Sequence, residues 1–279
     1  MRHYRRRKSR FKIQKKILLF HKQASPQPLS QVRGAINACL TFAVMAQKKL
    51  KRFGEIKTFA NVLEYPENIA GKWNEYFKNH YPVTLELACG KGEYAIGLAQ
   101  LYPQKNFIGV DIKGNRIWVG SKYALDNKLN NVAFLRTQIH KIDTYFTVNE
   151  VEEIWITFPD PQLRISKANR RLTHPRYLRL YKNILKTSGK IHLKTDSPDL
   201  YNFTKTVIEL YKLTLNLDLD NLYKQEKISP ELNIKTHYEN LDIAKSKKVF
   251  YLSFSLPERI IDKDDELETI LKNKTNEEQ

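Results

Sequence analysis

Acidic residues are missing from the first 54 positions of this 279-residue chain; the first is Glu55. Cysteine is almost as scarce. The only two, Cys39 and Cys89, stand in neither a CxxC nor a His-rich neighbourhood. A disulfide framework or a structural zinc site is therefore not expected, and the pattern fits a reducing cytoplasm. No apolar run approaches the ~20 residues of a membrane span. The longest candidate, Ala35–Ala46, lies too deep in the chain for an ordinary signal peptide. His140, His174 and His237 do not cluster at metal-ligand spacing, so no metal is expected; they read as surface or capping histidines.

What the chain has in excess is positive charge, a formal +18. Such a surplus points to polyanions such as nucleic acid, or to anionic membrane surfaces. Its distribution is uneven. Residues 1–44 hold eleven Lys or Arg and no acid, which leaves 37 basic against 30 acidic residues, or +7, for the remainder. The head is poorly periodic, with a Ser/Pro/Gln patch at its middle. It reads as a basic arm for a phosphate backbone, a targeting segment, or sequence upstream of a true start at Met45. Beyond it the chain divides into a lead-in (45–82), a body (83–256) and a charged tail (257–279) expected to be mobile or a loose helix.

The body alternates. Strands are expected at Val83–Cys89, Asn106–Ile112, Asn131–Gln138, Glu152–Phe158 and Lys190–Asp196. Helices are expected from Gly92, Asn115, His174 and Ser197. The third of these is expected to run from Pro175 in its first turn to a stop at Gly189, and the fourth carries Ser197 as N-cap before Pro198. Two late strands follow, near Leu213–Asp218 and Lys247–Phe254. Trp73, Trp118 and Trp155 sit in apolar patterns and read as core or edge packing. This order predicts an α/β fold, a doubly wound, mainly parallel sheet with helices on both faces. Ligands of such sheets bind at the carboxyl ends of the strands.

Three features meet on that edge. The turn after the first strand, "LELACGKGEYA", has Gly90 and Gly92, which let the backbone turn tightly before a helix N-terminus and approach a ligand closely, so both are expected to bind the cofactor. Asp111 ends the second strand about twenty residues on, where a carboxylate suits ribose hydroxyls. Read strictly, Gly90-x-Gly92-x-x-Ala95 also fits a dinucleotide fingerprint. Glu86, inside the first strand, favours a cofactor with a sulfonium and an amino group, S-adenosyl-L-methionine, since a carboxylate there repels a pyrophosphate. The plainer alternative makes Glu86 a partnered structural carboxylate. The fourth strand runs into Pro159-Asp160-Pro161 and then a basic segment with Arg164, Lys167, Arg170 and Arg171, where RNA phosphates would pass. Some of these are expected to be solvated loop charges, and Arg170 or Arg171 to pair with an acid of the domain. The loop 163–173 is expected to be mobile without RNA.

In the order "LELACGKG", "GVDIKG", "FPDP", "RRLTHPRYL", "KTD" and "THYE", the chain resembles bacterial tRNA (guanine-N7-)-methyltransferases, from about Lys48 to Phe254. The resemblance implies a Rossmann-like class I S-adenosylmethionine-dependent methyltransferase that methylates N7 of a guanine in the tRNA variable loop. It implies that Glu86 and Asp111 bind the cofactor, with Gln138 near the adenine where the family has Asn or Asp. It implies that Asp160 is the catalytic aspartate, also at the cofactor. Arg164 falls where the family has a basic residue that contacts tRNA. Asp196, Thr236, Tyr238 and Glu239 match substrate-side positions. Two departures stand out. Gln162, followed by Leu163, stands where the family has Trp after "FPDP", and Ala88 replaces the first glycine of the cofactor turn, a change expected to be tolerated.

Guanine N7 carries a lone pair and no proton, so the reaction needs alignment and charge stabilisation rather than a general base. Asp160, held between two prolines, suits that task; the plain reading is a turn cap. Glu239 is a candidate acceptor for the guanine amino group. Three rivals remain: a methyltransferase for another substrate, an RNA-binding protein without catalysis, and a dinucleotide-dependent oxidoreductase. The expected partner is tRNA, with no membrane; a monomer and a homodimer both stay open.

Overall fold

Strands buried on both faces are near-continuous apolar runs with opposite faces on alternate residues. "NFIGVD" behaves in this way in the computed structural model, which describes residues 47, 49–236, 239 and 248–277. Phe107 faces one core layer while Ile108 and Val110 face the other. Leu85 and Leu87 share the second layer with Ile154 and Ile156, and Phe134 and Trp155 join the first. Trp73 and Trp155 are buried and Trp118 packs at a layer's margin. The chain divides into two units, residues 1–51 and 52–279, and the sheet belongs to the second.

In chain order the described elements are β1 (Val62–Glu64), α1 (Trp73–Phe77), β2 (Val83–Leu87), α2 (Glu93–Leu101), β3 (Asn106–Asp111), α3 (Gly114–Asp126), β4 (Val132–Arg136) and β5 (Val151–Thr157). They continue with α4 (Pro175–Lys182), β6 (Leu185–Thr195), α5 (Pro198–Leu210), β7 (Thr214–Leu219), β8 (Phe250–Ser255) and α6 (Asp264–Glu277). The sheet order is β1-β4-β3-β2-β5-β6-β8-β7. All neighbours run parallel except β8, which is antiparallel to β6 and β7. From β2 the chain winds one way through β3 and β4, then returns to β5 and β6 on the other side. The switch point between β2 and β5 is where such folds open a ligand crevice.

The helix signals hold at both expected caps. The Ser197 hydroxyl accepts from the Leu200 N–H at 3.3 Å, and His174 caps α4 by accepting from the Arg176 N–H at 3.2 Å. Burial pushes the His174 pKa down to about 4, which keeps its ring neutral and able to accept. In α3 the buried residues Ile117, Gly120, Ser121 and Ala124 follow helical spacing.

Two expectations are corrected. The helix from His174 does not reach Gly189: α4 ends at Lys182 and β6 begins at Leu185. Pairing with β5 overrides the helical spacing, since Val151 opposes Leu185 and Glu153 opposes Lys190, so residues 186–189 bulge from the ladder. The tail helix is docked rather than loose. Leu267 is buried, and the Asp264 carboxylate takes two bonds from Arg179, at 2.8 and 2.9 Å, and one from the Tyr211 hydroxyl at 2.6 Å. No helix among the described residues is long and apolar enough to cross a membrane.

Candidate active site

The carboxyl ends of β2, β3, β4 and β5 surround a cavity of about 910 Å³. Its lining includes Glu86, Gly90, Asp111, Gln138, Asp160 and Thr236, so six positions singled out in the sequence converge on one space. Gly92, expected beside the ligand, does not line it. Gly92 stands at φ +71°, and a Cβ there would meet the Phe134 ring at 2.2 Å. Gly90, at φ +59°, has nothing within 4 Å of the position a Cβ would take, so its face is open. Gly120 makes a contact the sequence does not announce: a Cβ there would stand 2.2 Å from the Lys91 carbonyl, so glycine lets α3 close on the turn.

Three N–H groups at the turn and the start of α2 are already engaged. Gly90 donates to Asp111 Oδ2 at 3.0 Å, Gly92 to the Cys89 carbonyl at 2.7 Å, and Ala95 to Glu86 Oε2 at 2.8 Å. Lys113 donates to Asp111 Oδ1 at 2.7 Å. A pyrophosphate needs such groups free at a helix N-terminus; here two carboxylates hold places it would take. The Glu86 carboxylate also accepts from the Thr157 hydroxyl at 2.9 Å. Burial pushes its pKa up to about 8, against those two hydrogen bonds. Glu86 is thus both a fold partner and a cavity wall. A carboxylate oxygen has two lone pairs, so each can still accept from a ligand.

Strain gathers at the same edge. Ala88, Phe158 and Gln162 have φ of +58°, +45° and +48°, a region that costs non-glycine residues and persists where surroundings over-determine it. Ala88 thus stands in a glycine-like conformation, where the family's glycine would carry no such cost. Asp160 is exposed, and its Oδ1 accepts from the Gln162 N–H at 3.0 Å. The turn-cap reading is correct as far as it goes, since one carboxylate oxygen is used in this way.

The basic segment folds as a 3-10 turn, Ile165–Arg170, with Ala168 buried. Arg170 lines the cavity with Lys91, Lys113 and Arg116. Arg164 is exposed and stands outside the lining. Arg171 is buried, and its hydrogen bonds go to backbone carbonyls of Pro161 and Gln162; burial lowers its pKa, and the nearby acid that opposes this is Asp199, which acts by charge rather than by a hydrogen bond. Asp196 is half-buried just past β6, also outside the lining.

Tyr238 and His237 lie outside the described residues. The motif around them nevertheless has a clear local geometry. Thr236 Oγ1 accepts from the Glu239 N–H at 3.2 Å, and the Glu239 carboxylate accepts from the Thr236 N–H at 3.3 Å. This is a capping box, S/T-x-x-E, a signal readable in "THYE" itself. Glu239 is also paired with Lys194 at 3.0 Å, with side chains 2% and 0% exposed, and takes the Tyr223 hydroxyl. It does not line the cavity; its carboxylate faces protein partners rather than open space. Lys194 donates further to the Leu232 and Ile234 carbonyls at 3.0 and 2.9 Å.

The fold and an acid-walled crevice at its switch point define an α/β methyltransferase, and a family profile described as "Putative methyltransferase" matches residues 80–252. A relative from Porphyromonas gingivalis is 45% identical over 73% of this chain and 87% of its own. One from Christiangramia forsetii is 44% identical over 76% and 99%. Both bear the name tRNA (guanine-N(7)-)-methyltransferase, and the chain belongs to that family. Among solved structures, the 16S rRNA methyltransferase KamB matches with a TM-score of 0.52 at 13% identity, covering 71% of this chain and 99% of that one. That likeness concerns the fold alone.

Proposed function

We propose that the protein transfers a methyl group from S-adenosyl-L-methionine to N7 of a guanine in the variable loop of tRNA, in the cytoplasm. The reading is carried by the convergence of Glu86, Gly90, Asp111, Gln138, Asp160 and Thr236 on one cavity. The cofactor, when bound, supplies a methyl group already activated by a sulfonium. The lining fits such a molecule. It has two buried carboxylates for cationic and hydroxyl groups, an open glycine face, and apolar side chains of Ile112 and Ile139 for a purine ring.

In this reading Asp111 accepts from the ribose hydroxyls and Glu86 faces the cationic end. Gln138 stands beside the adenine. Asp160 orients the guanine or the cofactor's amino group. It also stabilises the positive charge that N7 alkylation puts on the base, without removing a proton. Lys91, Lys113, Arg116 and Arg170 offer the tRNA backbone a basic rim. Glu239, held by Lys194, serves by fixing Thr236 at the cavity wall.

The test is methyl transfer from labelled S-adenosylmethionine to unmodified total tRNA, with nucleoside mass analysis. A 7-methylguanosine product is expected. Cofactor binding without that product moves the search to other acceptors, and NADH binding in its place sinks the reading. Asp160→Asn is expected to lower kcat by on the order of 10²-fold, the usual size of a lost charge-stabilising group. Near-wild-type activity in that variant removes the charge role.

A further inference from the structure

We infer that Arg171 is a positioning residue for Asp160, its buried guanidinium clamping the backbone turn on which that carboxylate stands. The inference rests on the functional reading above. Arg171 is 4% exposed although its neighbour Arg170 faces the cavity. Its Nε donates to the Pro161 carbonyl at 3.1 Å and to the Gln162 carbonyl at 3.3 Å, and Nη2 donates to Gln162 at 3.2 Å. The guanidinium carbon lies 4.6 Å from the centre of the Phe203 ring, which covers its face. The residue's own backbone is held at both ends, its N–H by Ala168 and its carbonyl by the His174 N–H.

The geometry brackets one peptide unit. The Pro161–Gln162 peptide has its carbonyl held by Arg171 and its N–H by Asp160 Oδ1. Rotation of that peptide would break both bonds, so the clamp fixes where the carboxylate points. It also explains how Gln162 keeps φ +48°. A non-glycine residue holds such a conformation only under external constraint. Here Arg171 supplies the constraint, in a turn that lacks the Trp expected from the family. Lysine cannot replace it, because a single ammonium on a flexible stem offers no fork to two successive carbonyls.

Arg171→Lys and Arg171→Ala, alone and with Asp160→Asn, test this. In Arg171→Lys, kcat for tRNA methylation is expected to fall roughly 10- to 100-fold, the scale of a displaced catalytic group, with KM for tRNA little changed. If Arg171 acts through Asp160, the double variant Arg171→Lys/Asp160→Asn is no slower than Asp160→Asn. Millimolar guanidinium is expected to restore Arg171→Ala and to leave Asp160→Asn unchanged. Hydrogen exchange at the Gln162 amide should accelerate in Arg171→Lys while β5 keeps its protection, a readout independent of turnover. Losses that multiply in the double variant, or an unchanged Gln162 amide, overturn the clamp. A wild-type protein without methyl transfer overturns the functional reading instead, and the exchange measurement still decides the role of Arg171.

Discussion

Lys194→Met is the perturbation whose cost the structure allows to be worked through. The three hydrogens of the Lys194 ammonium have three acceptors: the Leu232 carbonyl at 3.0 Å, the Ile234 carbonyl at 2.9 Å and Glu239 Oε2 at 3.0 Å. The side chain is fully buried, and burial, the largest influence, lowers its pKa against the opposing pull of Glu239. Methionine fills a similar volume but leaves the Glu239 carboxylate 2% exposed with no cation, and two carbonyls without their donor. Removing one partner of a buried pair costs about 3–5 kcal/mol. The Tyr223 hydroxyl and the Thr236 N–H still donate to Glu239, which favours the lower end, about 3 kcal/mol. In Lys194→Met/Glu239→Gln no charge is stranded, so that pair should be less destabilised than the two single changes added, by about 2 kcal/mol. Urea titrations of all four proteins measure this, provided the slope m stays constant. A loss below about 1 kcal/mol in Lys194→Met, or strict additivity, refutes the view that the pair holds the Thr236 segment on the sheet.

Further outcomes follow from Glu86 and the two glycines of the cofactor turn. Glu86 has a folded pKa of about 8 against an ordinary 4.5, so between those values the native state holds the extra proton. Its contribution to stability is full below about pH 4.5 and is lost as the pH climbs towards 8, so Glu86→Gln should flatten that part of the urea midpoint profile in cofactor-free protein. A profile as steep as wild type would show that the proton resides elsewhere. A cationic ligand beside this carboxylate draws the proton off, so calorimetry at pH 7 in buffers of different ionisation enthalpy should report proton release on cofactor binding. Gly92→Ala places a Cβ 2.2 Å from the Phe134 ring at φ +71°, which should destabilise by about 2–3 kcal/mol in thermal or urea unfolding. Gly90→Ala has open space instead, so it should fold better than Gly92→Ala yet bind cofactor more weakly. The reverse order would mean the two glycines have been assigned each other's roles.

The parts of the fold that were legible are those whose determinants are local. The parallel strands announce themselves because both faces are buried, which turns "VTLEL" and "NFIGVD" into apolar runs. The Ser197 cap and the glycine turn are equally local. Residues 183–189 read as helix in the sequence because "ILKTSG" satisfies helical spacing and ends in glycine, while the pairing that overrides it comes from Val151 and Glu153, more than thirty positions earlier. The tail looked loose for a related reason. Its composition is charged, and its anchor, Asp264, depends on Arg179 and Tyr211 far back in the chain.

The site divides along the same line. Residues whose work is backbone shape or a strand-end carboxylate, such as Gly92 and Asp111, could be placed from spacing. The roles of the other charged residues could not, because a sequence shows the charge but not the side of a turn on which it falls. Arg170 and Arg171 are adjacent and chemically identical. One faces the cavity; the other turns inward to Phe203 and the carbonyls of Pro161 and Gln162. Likewise Lys194, in the run "IHLKT", alternates as an ordinary polar strand residue would, and nothing near it reveals a carboxylate waiting 45 positions on. Glu239 shows the cost of reading charge as contact. Its motif is a capping box and its charge is spent on Lys194, so in the proposed function it acts only through the placement of Thr236. Two residues can be required for one reaction while only one of them touches anything that reacts.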